Sequence, residues 1–378
     1  MSGTAYVAKT MIAARSAPVR TTGVLGFIRT RLINSPTNIL LTVTCTLLLW
    51  FTIIPTVRFL LVDAVWQGSD RNACLPETVG RPVGACWPFI QAKLSQFIYG
   101  FYPESERWRV NLTFLIGALL LLPLLIPRLP AKAINAALFF LAFPVVAFFL
   151  LYGGYGGLAV VPTRLWGGML VTLVVAITGI VASMPIGIAL ALGRRSSIPL
   201  IRFGSIAFIE FWRGVPLITV LFFATYMLPL FLPGNFSVDG LVRVLIGVAL
   251  FAGAYNAEVI RGGLQAIPRG QAEAASALGL SWWKTTRLVV LPQALRHVIP
   301  GLVNSFIALL KDTSLVSIVA LFDLLGQLRA AFADPAWSSP STLFTGFAFT
   351  GIIYFVLCFG MSRYSLFVER RLNAHRRS

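Results

Sequence analysis

Four charged residues interrupt apolar stretches of the chain: Glu210 and Arg213 in "IEFWRGVPLITVLFF", and Lys311 and Asp312 in "LLKDTSLVSIV". Charges at membrane depth are costly and are usually paired or functional. Glu210 and Arg213 lie three residues apart, on one face of a helix, where they can pair with each other. Pro216 follows them, and because it frees a backbone carbonyl it can break the helix at a place where a polar ligand could bind.

These charges support two interpretations, a polar path through the membrane or a set of structural ion pairs. For Glu210 and Arg213, the alternative to the path is a self-satisfied pair near the membrane boundary. Lys311 and Asp312 are adjacent and point in different directions, so each needs another partner. Their depth favours the path or an interface with a second chain. Hydrogen-bonding residues of the apolar stretches are further candidates: Thr219, Thr225, Asn256, Asn304, Ser305, Thr313 and Ser314.

Motifs for catalysis and metal binding are missing from the sequence. There is no GxxxxGK[ST] loop, so the chain has no phosphate-cradling loop of its own. His297 and His375 are far apart and belong to no HExxH or CxxC motif, so the sequence gives no support for metal-dependent or nucleophilic catalysis. We therefore expect a protein that is not an enzyme and that binds no metal or other cofactor itself.

The elements that carry these residues are transmembrane helices. Hydrophobic residues make up 57% of the chain and charged residues 12%, with a mean hydropathy of +0.82, far from the usage of a soluble domain. The apolar runs have the roughly 20-residue length of a spanning helix, not the roughly 10-residue alternation of a barrel strand. The sequence predicts an all-α integral membrane protein with spans at about 38–62, 109–127, 133–152, 165–192, 204–232, 240–257, 297–320 and 344–366.

The net charge of +18 could indicate a nucleic-acid partner or the orientation of the chain in the membrane. Eight spans put both termini on one side. With the termini in the cytoplasm, 20 of the 31 Lys and Arg fall in inside segments and eight in outside segments. The charge therefore indicates orientation, and we expect no nucleic-acid partner. Residues 1–37 lack the pattern of a removable signal peptide, so the first span should remain as an anchor.

A Gly-rich loop, "GGYGGLAVVPT", suggests a division of the chain near residue 153. We expect a cytoplasmic segment at 1–37, three helices in 38–152 and five helices in 153–378. The three helices would include an outside loop at about 63–108.

Two of the four cysteines, Cys74 and Cys86, lie in this outside loop. A bridge between them would close a short loop in an oxidising compartment and would stabilise the protein by on the order of 3 kcal/mol. The alternative is two unpaired thiols. A metal site is less favoured because no histidine lies nearby.

A second loop, at 258–296, lies inside and is too long for a turn. The run "QAEAASAL" contains strong helix formers, Gly279 is a natural C-cap, and Ser281 can cap a second helix that ends at Pro292. The small side chains of the first helix, beside two tryptophans, fit a helix laid into a partner's groove. The alternative is an amphipathic hairpin that packs only on its own bundle.

This segment resembles the EAA loop of ABC importer permeases, in which EAA is followed by three residues, Gly, nine residues and an Ile-x-Leu-Pro ending. The chain has Val in place of the Ile. The matching residues are Glu273, Ala274, Ala275, Gly279, Val289, Leu291 and Pro292.

Three further stretches, "AYNAEVIRGGLQAIPRGQAEAASALG", "IEFWRGVPLITVLFF" and "LLKDTSLVSIV", narrow the resemblance to permeases for polar amino acids. It covers about residues 163–378. The additional N-terminal helices are similar to the M-type permease of general L-amino acid importers.

The resemblance implies a five-helix type I permease core and a subunit that couples ATP hydrolysis to alternating access for polar L-amino acids. It implies a second, homologous permease, two copies of an ATPase that bind ATP and magnesium and dock on the EAA residues, and a periplasmic binding protein. The expected location is the bacterial inner membrane. The alternative is a secondary transporter without an ATPase, for which only Glu210 and Asp312 could relay protons, and neither has a partner acid in the sequence.

Overall fold

The computed structural model describes residues 23–126, 129–231, 233 and 238–374. Seven helices in these ranges are long and apolar enough to cross a membrane, and a bent helix pair makes an eighth if it counts as one span. The same ranges contain no β-strand, only isolated bridges. The predicted all-α membrane architecture with about eight spans is confirmed. Most of the predicted segment 1–37, and His375, lie outside the described residues.

The N-terminal part of the structure contains four main helices. Ser35 caps the first by accepting a hydrogen bond from the Asn38 backbone N–H (3.2 Å), and Pro36 occupies the first turn, where its missing N–H costs nothing. The helices are α1 (Pro36–Val62, π-helical over Arg58–Val62), α2 (Trp87–Tyr99), α3 (Arg107–Leu125) and α4 (Lys132–Tyr152). Shorter turns are Gly23–Phe27, Ile28–Leu32, Arg71–Cys74, Pro76–Val79 and Glu104–Glu106.

The C-terminal part contains eight helices around a central pair. They are α5 (Gly168–Gly193), α6 (Pro199–Gly214), α7 (Leu217–Phe231), α8 (Gly240–Ala266), α9 (Arg269–Ala277), α10 (Trp282–Val319), α11 (Leu324–Ala331) and α12 (Pro340–Ala374). Helix α5 packs along α8, α8 along α10, and α10 along α12. We call the end of this bundle that carries α9 the α9 end, and the opposite end, which carries α11, the α11 end.

The span predicted at 204–232 is two helices, α6 and α7, that meet at an angle of 101°. Val215 and Pro216, which join them, both have extended backbone angles. A proline has no N–H to continue the helix, and it disfavours a helical conformation in the residue before it. The break therefore follows from Pro216, as the sequence predicts, and the bent pair counts as one span.

The loop predicted at 258–296 is much shorter than expected, because α8 continues to Ala266 and α10 begins at Trp282. The sequence predicts a helix that ends at Pro292, but in the structure the helix continues through this residue. A π-helical segment, Thr285–Val290, precedes it, so Pro292 occupies the first turn of a new α-helical segment, where no N–H is required. Helix α10 thus runs without a break from the α9 end into the membrane.

The segment between α1 and α3 packs on the C-terminal half at the α11 end. Cys74 and Cys86 are joined in a disulfide, with a Cα–Cα distance of 5.7 Å. The backbone N–H of Cys86 donates to the hydroxyl of Thr345 on α12 (2.8 Å). Gln96 on α2 donates to Gln327 on α11 (3.0 Å). Cys74 and Cys86 belong to a buried apolar cluster that also includes Leu324 and Leu328 of α11 and so spans both halves of the chain.

Two close contacts fix this junction. A Cβ atom on Gly100 would lie 2.4 Å from the Cα of Gly167, so the two backbones touch at a place where only glycine fits. Asp323 is fully buried and accepts hydrogen bonds from the Gly326 N–H (2.9 Å) and the Tyr354 hydroxyl (3.1 Å). Burial raises the pKa of the Asp323 carboxyl despite these donors.

Candidate functional site

A cavity of about 370 Å³ between α8 and α10 collects four of the predicted polar residues. Asn256 comes from α8, and Asn304, Ser305 and Asp312 come from α10. The spacing on α10 explains the grouping, since residues three to four and seven to eight apart share one helix face. Aromatic side chains, including Tyr255, complete the wall. We call this space the polar cavity.

Asn256 is the most deeply buried polar side chain of the cavity, with no exposed surface. Its amide nitrogen donates to the Ser183 hydroxyl on α5 (2.9 Å), which fixes the amide orientation. Its carbonyl oxygen is buried and has no hydrogen-bond partner within the described part of the chain. Buried acceptors are normally satisfied, so this oxygen is available to a donor that enters the cavity.

Lys311 and Asp312 line different cavities. Asp312 contributes to the polar cavity, whereas Lys311 and Ser314 line a second cavity of about 280 Å³ between α10 and α12. Successive helical residues differ by about 100° in direction, which separates the two charges. Thr313, which follows Asp312, is buried, and its hydroxyl lies 3.3 Å from the Tyr354 hydroxyl.

The charged residues near the bend form an ion cluster, and the predicted pairing of Glu210 with Arg213 is wrong. Arg194, at the end of α5, bridges Glu210 (2.9 Å) and Glu258 (2.8 Å). Arg261 also contacts Glu258 (2.9 Å), and Arg213 lies 4.0 Å from it. Helix α6 packs against α5 and α8, so partners from those helices reach Glu210 and Arg213.

The ion cluster adjoins the polar cavity through Tyr255. The guanidinium of Arg213 lies 5.7 Å from the centre of the Tyr255 ring, within the range of a cation–π contact. Tyr255 itself lines the polar cavity. Pro216, Thr219 and Thr225 lie on the bent pair and line neither polar space, so the structure does not bring them together with Asn256 and Asp312.

Helix α9 and the start of α10 carry the residues that the sequence predicts to contact an ATPase, and we call their surface the coupling surface after that prediction. Gly279 has a left-handed backbone (φ 76°), and its N–H donates to the Ser276 carbonyl (2.9 Å), while the Leu280 N–H donates to the Ala275 carbonyl (3.2 Å). This is the hydrogen-bond pattern of a glycine-terminated helix. Ala275 faces inward and is buried against α10.

The outer face of the coupling surface is apolar. Leu278 is 82% exposed, and further large apolar side chains beside it are exposed as well. Glu273, Ala274 and Gly279 are also exposed, and Leu291 is half-buried. The apolar members of the surface are Ala274, Leu278, Trp282, Trp283 and Leu288.

Sequence reasoning missed Arg194, Ser183 and Tyr255. Arg194 lies in a basic turn, so the sequence alone indicates only a charge that sets the orientation of the chain. Its ion-pair partners, Glu210 and Glu258, are 16 and 64 residues away along the chain. Ser183 is 73 residues from Asn256. No local pattern reveals such pairs. Within the described ranges, no group of three or more His, Cys, Asp or Glu side chains could hold a metal ion.

Comparison with known proteins gives one family. Residues 183–374 match the family described as "Binding-protein-dependent transport system inner membrane component". The chain is 49% identical over 350 residues to the "Inner membrane amino-acid ABC transporter permease protein YhdY" of Escherichia coli (strain K12), with 93% of each chain covered. It is 39% identical over an alignment of 446 residues to the "Glutamate/glutamine/aspartate/asparagine transport system permease protein BztC" of Rhodobacter capsulatus, with 100% of each chain covered. A solved structure described as "Crystal structure of an amino acid ABC transporter with histidines" is 31% identical, has a TM-score of 0.47, and covers 54% of this chain and 92% of that chain.

Proposed function

Because the chain belongs to the inner membrane components of binding-protein-dependent transport systems, we infer that it is the permease subunit of an ATP-driven importer of polar amino acids. Its relatives are amino-acid ABC transporter permeases by name, which favours this function over a secondary transporter. The importer would pair this chain with a second permease and receive substrate from a soluble binding protein. The five spans of a type I permease core would be α5, the bent pair α6 and α7, α8, α10 and α12.

The observation that carries the proposal is the exposed apolar coupling surface. Leu278 and the neighbouring tryptophans lie at the end of the bundle, beyond the apolar core of the spans, where water would surround them. Exposed apolar patches of this kind mark protein interaction sites. An ATPase subunit that bound here would cover them, and α10 would carry a movement of the surface into the membrane, because that helix continues from Trp282 to Val319.

The polar cavity is our proposal for part of the translocation path. An amino acid carries an ammonium group, which needs acceptors, and a carboxylate, which needs donors. The Asn256 carbonyl and the Asp312 carboxylate supply acceptors, and the Asn304 amide supplies donors, whereas the Ser305 hydroxyl already donates to the Gly301 carbonyl (3.3 Å). The second cavity, or the contact with the second permease, would then be formed in part by Lys311, Ser314 and Thr313.

The bend at Pro216 and the ion cluster would form the gate at the α9 end. Glu210 and Arg213 would act here as members of the cluster, and Thr219 would face the second permease or lipid. Catalysis would reside on the partner ATPase, which would hold ATP and magnesium.

The α9 end is assigned to the cytoplasm in this proposal, as are both termini. The basic residues that favour this orientation include Arg194 and Arg261 of the ion cluster. The disulfide at the α11 end would then lie in the periplasm, where oxidation is permitted. We also retain the division into 38–152 and 153–378 as a proposal.

The test is a mild-detergent pull-down of the tagged chain from its own cell, followed by reconstitution in liposomes. We expect recovery of an ATPase with a phosphate-binding loop and of a second permease, and uptake that depends on ATP. Recovery of the chain alone, with uptake that needs no ATP, would overturn the proposal. A Leu278→Ala variant should bind the ATPase more weakly, whereas Leu141→Ala, which removes a 73% exposed side chain on α4 within the membrane, should bind it normally.

A further inference from the structure

A large apolar cavity lies at the junction between the N-terminal helices and the permease core, away from the polar cavity. It measures about 420 Å³ and is bounded by α3 and α4 on one side and by α5 and α8 on the other. Its walls are almost entirely aliphatic and aromatic. The hydroxyls of Thr113 and Thr163 are already used, on the Arg109 carbonyl (2.8 Å) and the Asp239 carboxylate (2.6 Å).

Hydrogen bonds hold α3 at both ends of the cavity and α4 at the α11 end. At the α11 end, the Tyr102 hydroxyl donates to the Leu151 carbonyl (2.7 Å), and Arg109 donates to the Ala159 carbonyl (3.0 Å). At the α9 end, Tyr364 donates to the Leu124 carbonyl (3.4 Å). Burial raises the pKa of Tyr102 to about 12, so its hydroxyl remains a donor at any physiological pH.

The length of the cavity matches one leaflet of a bilayer. It extends along α3 from Thr113 to Leu121 and along α4 from Leu151 back to Phe139, which corresponds to about 12 to 18 Å at the helical rise. On α4 it begins in the last turn, at Leu151, whereas on α3 it begins about two turns inside the span and ends near Leu125. Half of a hydrocarbon core is about 15 Å thick, so the cavity is long enough for one acyl chain.

The mouth of the cavity opens sideways, toward the lipid. Ala118, Leu121 and Phe148 line it and are exposed on the surface of α3 and α4. Water would find too few polar partners inside. A transmembrane helix needs about 30 Å of length and about 10 Å of width, which the cavity does not offer.

We propose that this cavity binds one acyl chain of a phospholipid from the leaflet at the α11 end. The chain enters between α3 and α4 and fills the space between the N-terminal helices and the core, with its methyl end toward the α9 end. Arg164 is exposed and lies between Thr163 and Trp166, which both line the cavity. Its guanidinium matches the charge of the phosphate group that the bound lipid would hold at the membrane surface. The proposal needs only the membrane location and is independent of the transport function.

The test is photolabelling of the full chain in lipid nanodiscs. The probe is a phosphatidylglycerol with a diazirine at the methyl end of one acyl chain, and mass spectrometry locates the labelled residues. Helix α1 is the internal reference, because its surface is exposed over its whole length and reports ordinary lipid contact. We expect labelling near Leu121, Phe139 and Thr178 well above the level of α1. Labelling no higher than that of α1 would overturn the proposal.

Matched variants separate the cavity from the general lipid surface. Ala147→Phe fills the cavity and should lower labelling there to the level of α1. Val146→Phe makes the same addition at the next residue, which is exposed and outside the cavity, and should leave labelling unchanged. If Ala147→Phe does not fold, Ala118→Leu at the mouth replaces it. Unchanged labelling in the filling variant would contradict the proposal.

The headgroup is tested with Arg164→Gln. This change should reduce labelling by the phospholipid probe and leave labelling by an uncharged diazirine fatty alcohol unaltered, because the alcohol has no anionic group to pair with Arg164. Equal labelling by both probes, in both proteins, would show that the cavity accepts any free acyl chain, and it would overturn the assignment to a phospholipid.

Discussion

We expect Leu278→Ala to separate the fold of the chain from its assembly. The Leu278 side chain is 82% exposed, so its removal should change the free energy of unfolding of this chain by no more than about 0.5 kcal/mol. In the assembled importer the same side chain would be covered by the ATPase. Full burial of a leucine is worth roughly 1.5–3 kcal/mol, which corresponds to about a tenfold to hundredfold loss of affinity.

The assay is binding of the purified ATPase subunit to the reconstituted permease, with uptake measured in the same vesicles. Leu141→Ala is the control, because Leu141 is 73% exposed but lies on α4 within the membrane. The control should bind the ATPase normally. If Leu278→Ala also bound normally and transported at the full rate, the coupling surface would not be the ATPase site.

Three other changes test separate parts of the structure. Gly279→Asp should abolish uptake while the chain still inserts, since the residue has a left-handed backbone and a carboxylate there would clash with a docked partner; normal uptake would contradict the coupling role. Arg194→Gln should destabilise the protein by roughly 1.5–3 kcal/mol for each charged hydrogen bond lost, and Arg194→Lys should recover part of that loss. Thermal unfolding in detergent measures the effect, and an unchanged unfolding temperature would show that the ion cluster does not stabilise the fold. Replacing Cys74 and Cys86 by serine should cost about 3 kcal/mol, and complete thiol labelling of both cysteines without reductant would show that no bridge forms in membranes.

Much of the architecture could be predicted because its causes are local. The spans follow from the length of apolar runs, and the end of α9 follows from one residue, Gly279, which has the left-handed conformation that a helix terminus favours. The break between α6 and α7 was visible as Pro216, although its size of 101° was not. Asn304 and Ser305 were candidates by residue type alone, and the structure places them with Asp312 along one cavity.

The partners of the charges could not be predicted, because they depend on which helices become neighbours. The spacing of Glu210 and Arg213 favoured an ion pair within one helix. In the structure, Arg194 lies at the end of α5 and forms the ion pair with Glu210 instead. The packing of α2 on α11 was hidden for the same reason, since Gln96 and Gln327 are 231 residues apart. The apolar cavity was also invisible, because only the assembled helices enclose it.

The junction at the α11 end has a consequence for the biogenesis of the chain. Cys86 and Thr345 are 259 residues apart, so the N-terminal segment emerges long before its hydrogen-bond partners are synthesised. At roughly 5–20 residues per second, the delay is on the order of ten to fifty seconds. In the orientation that we propose, Cys74 and Cys86 cross the membrane during this interval, and their disulfide can form before the docking site of the loop exists. The last hairpin, α11 with α12, then packs on the N-terminal segment and completes the junction. A chain that stalls before residue 345 leaves the apolar surface of that segment exposed to the quality-control machinery of the cell.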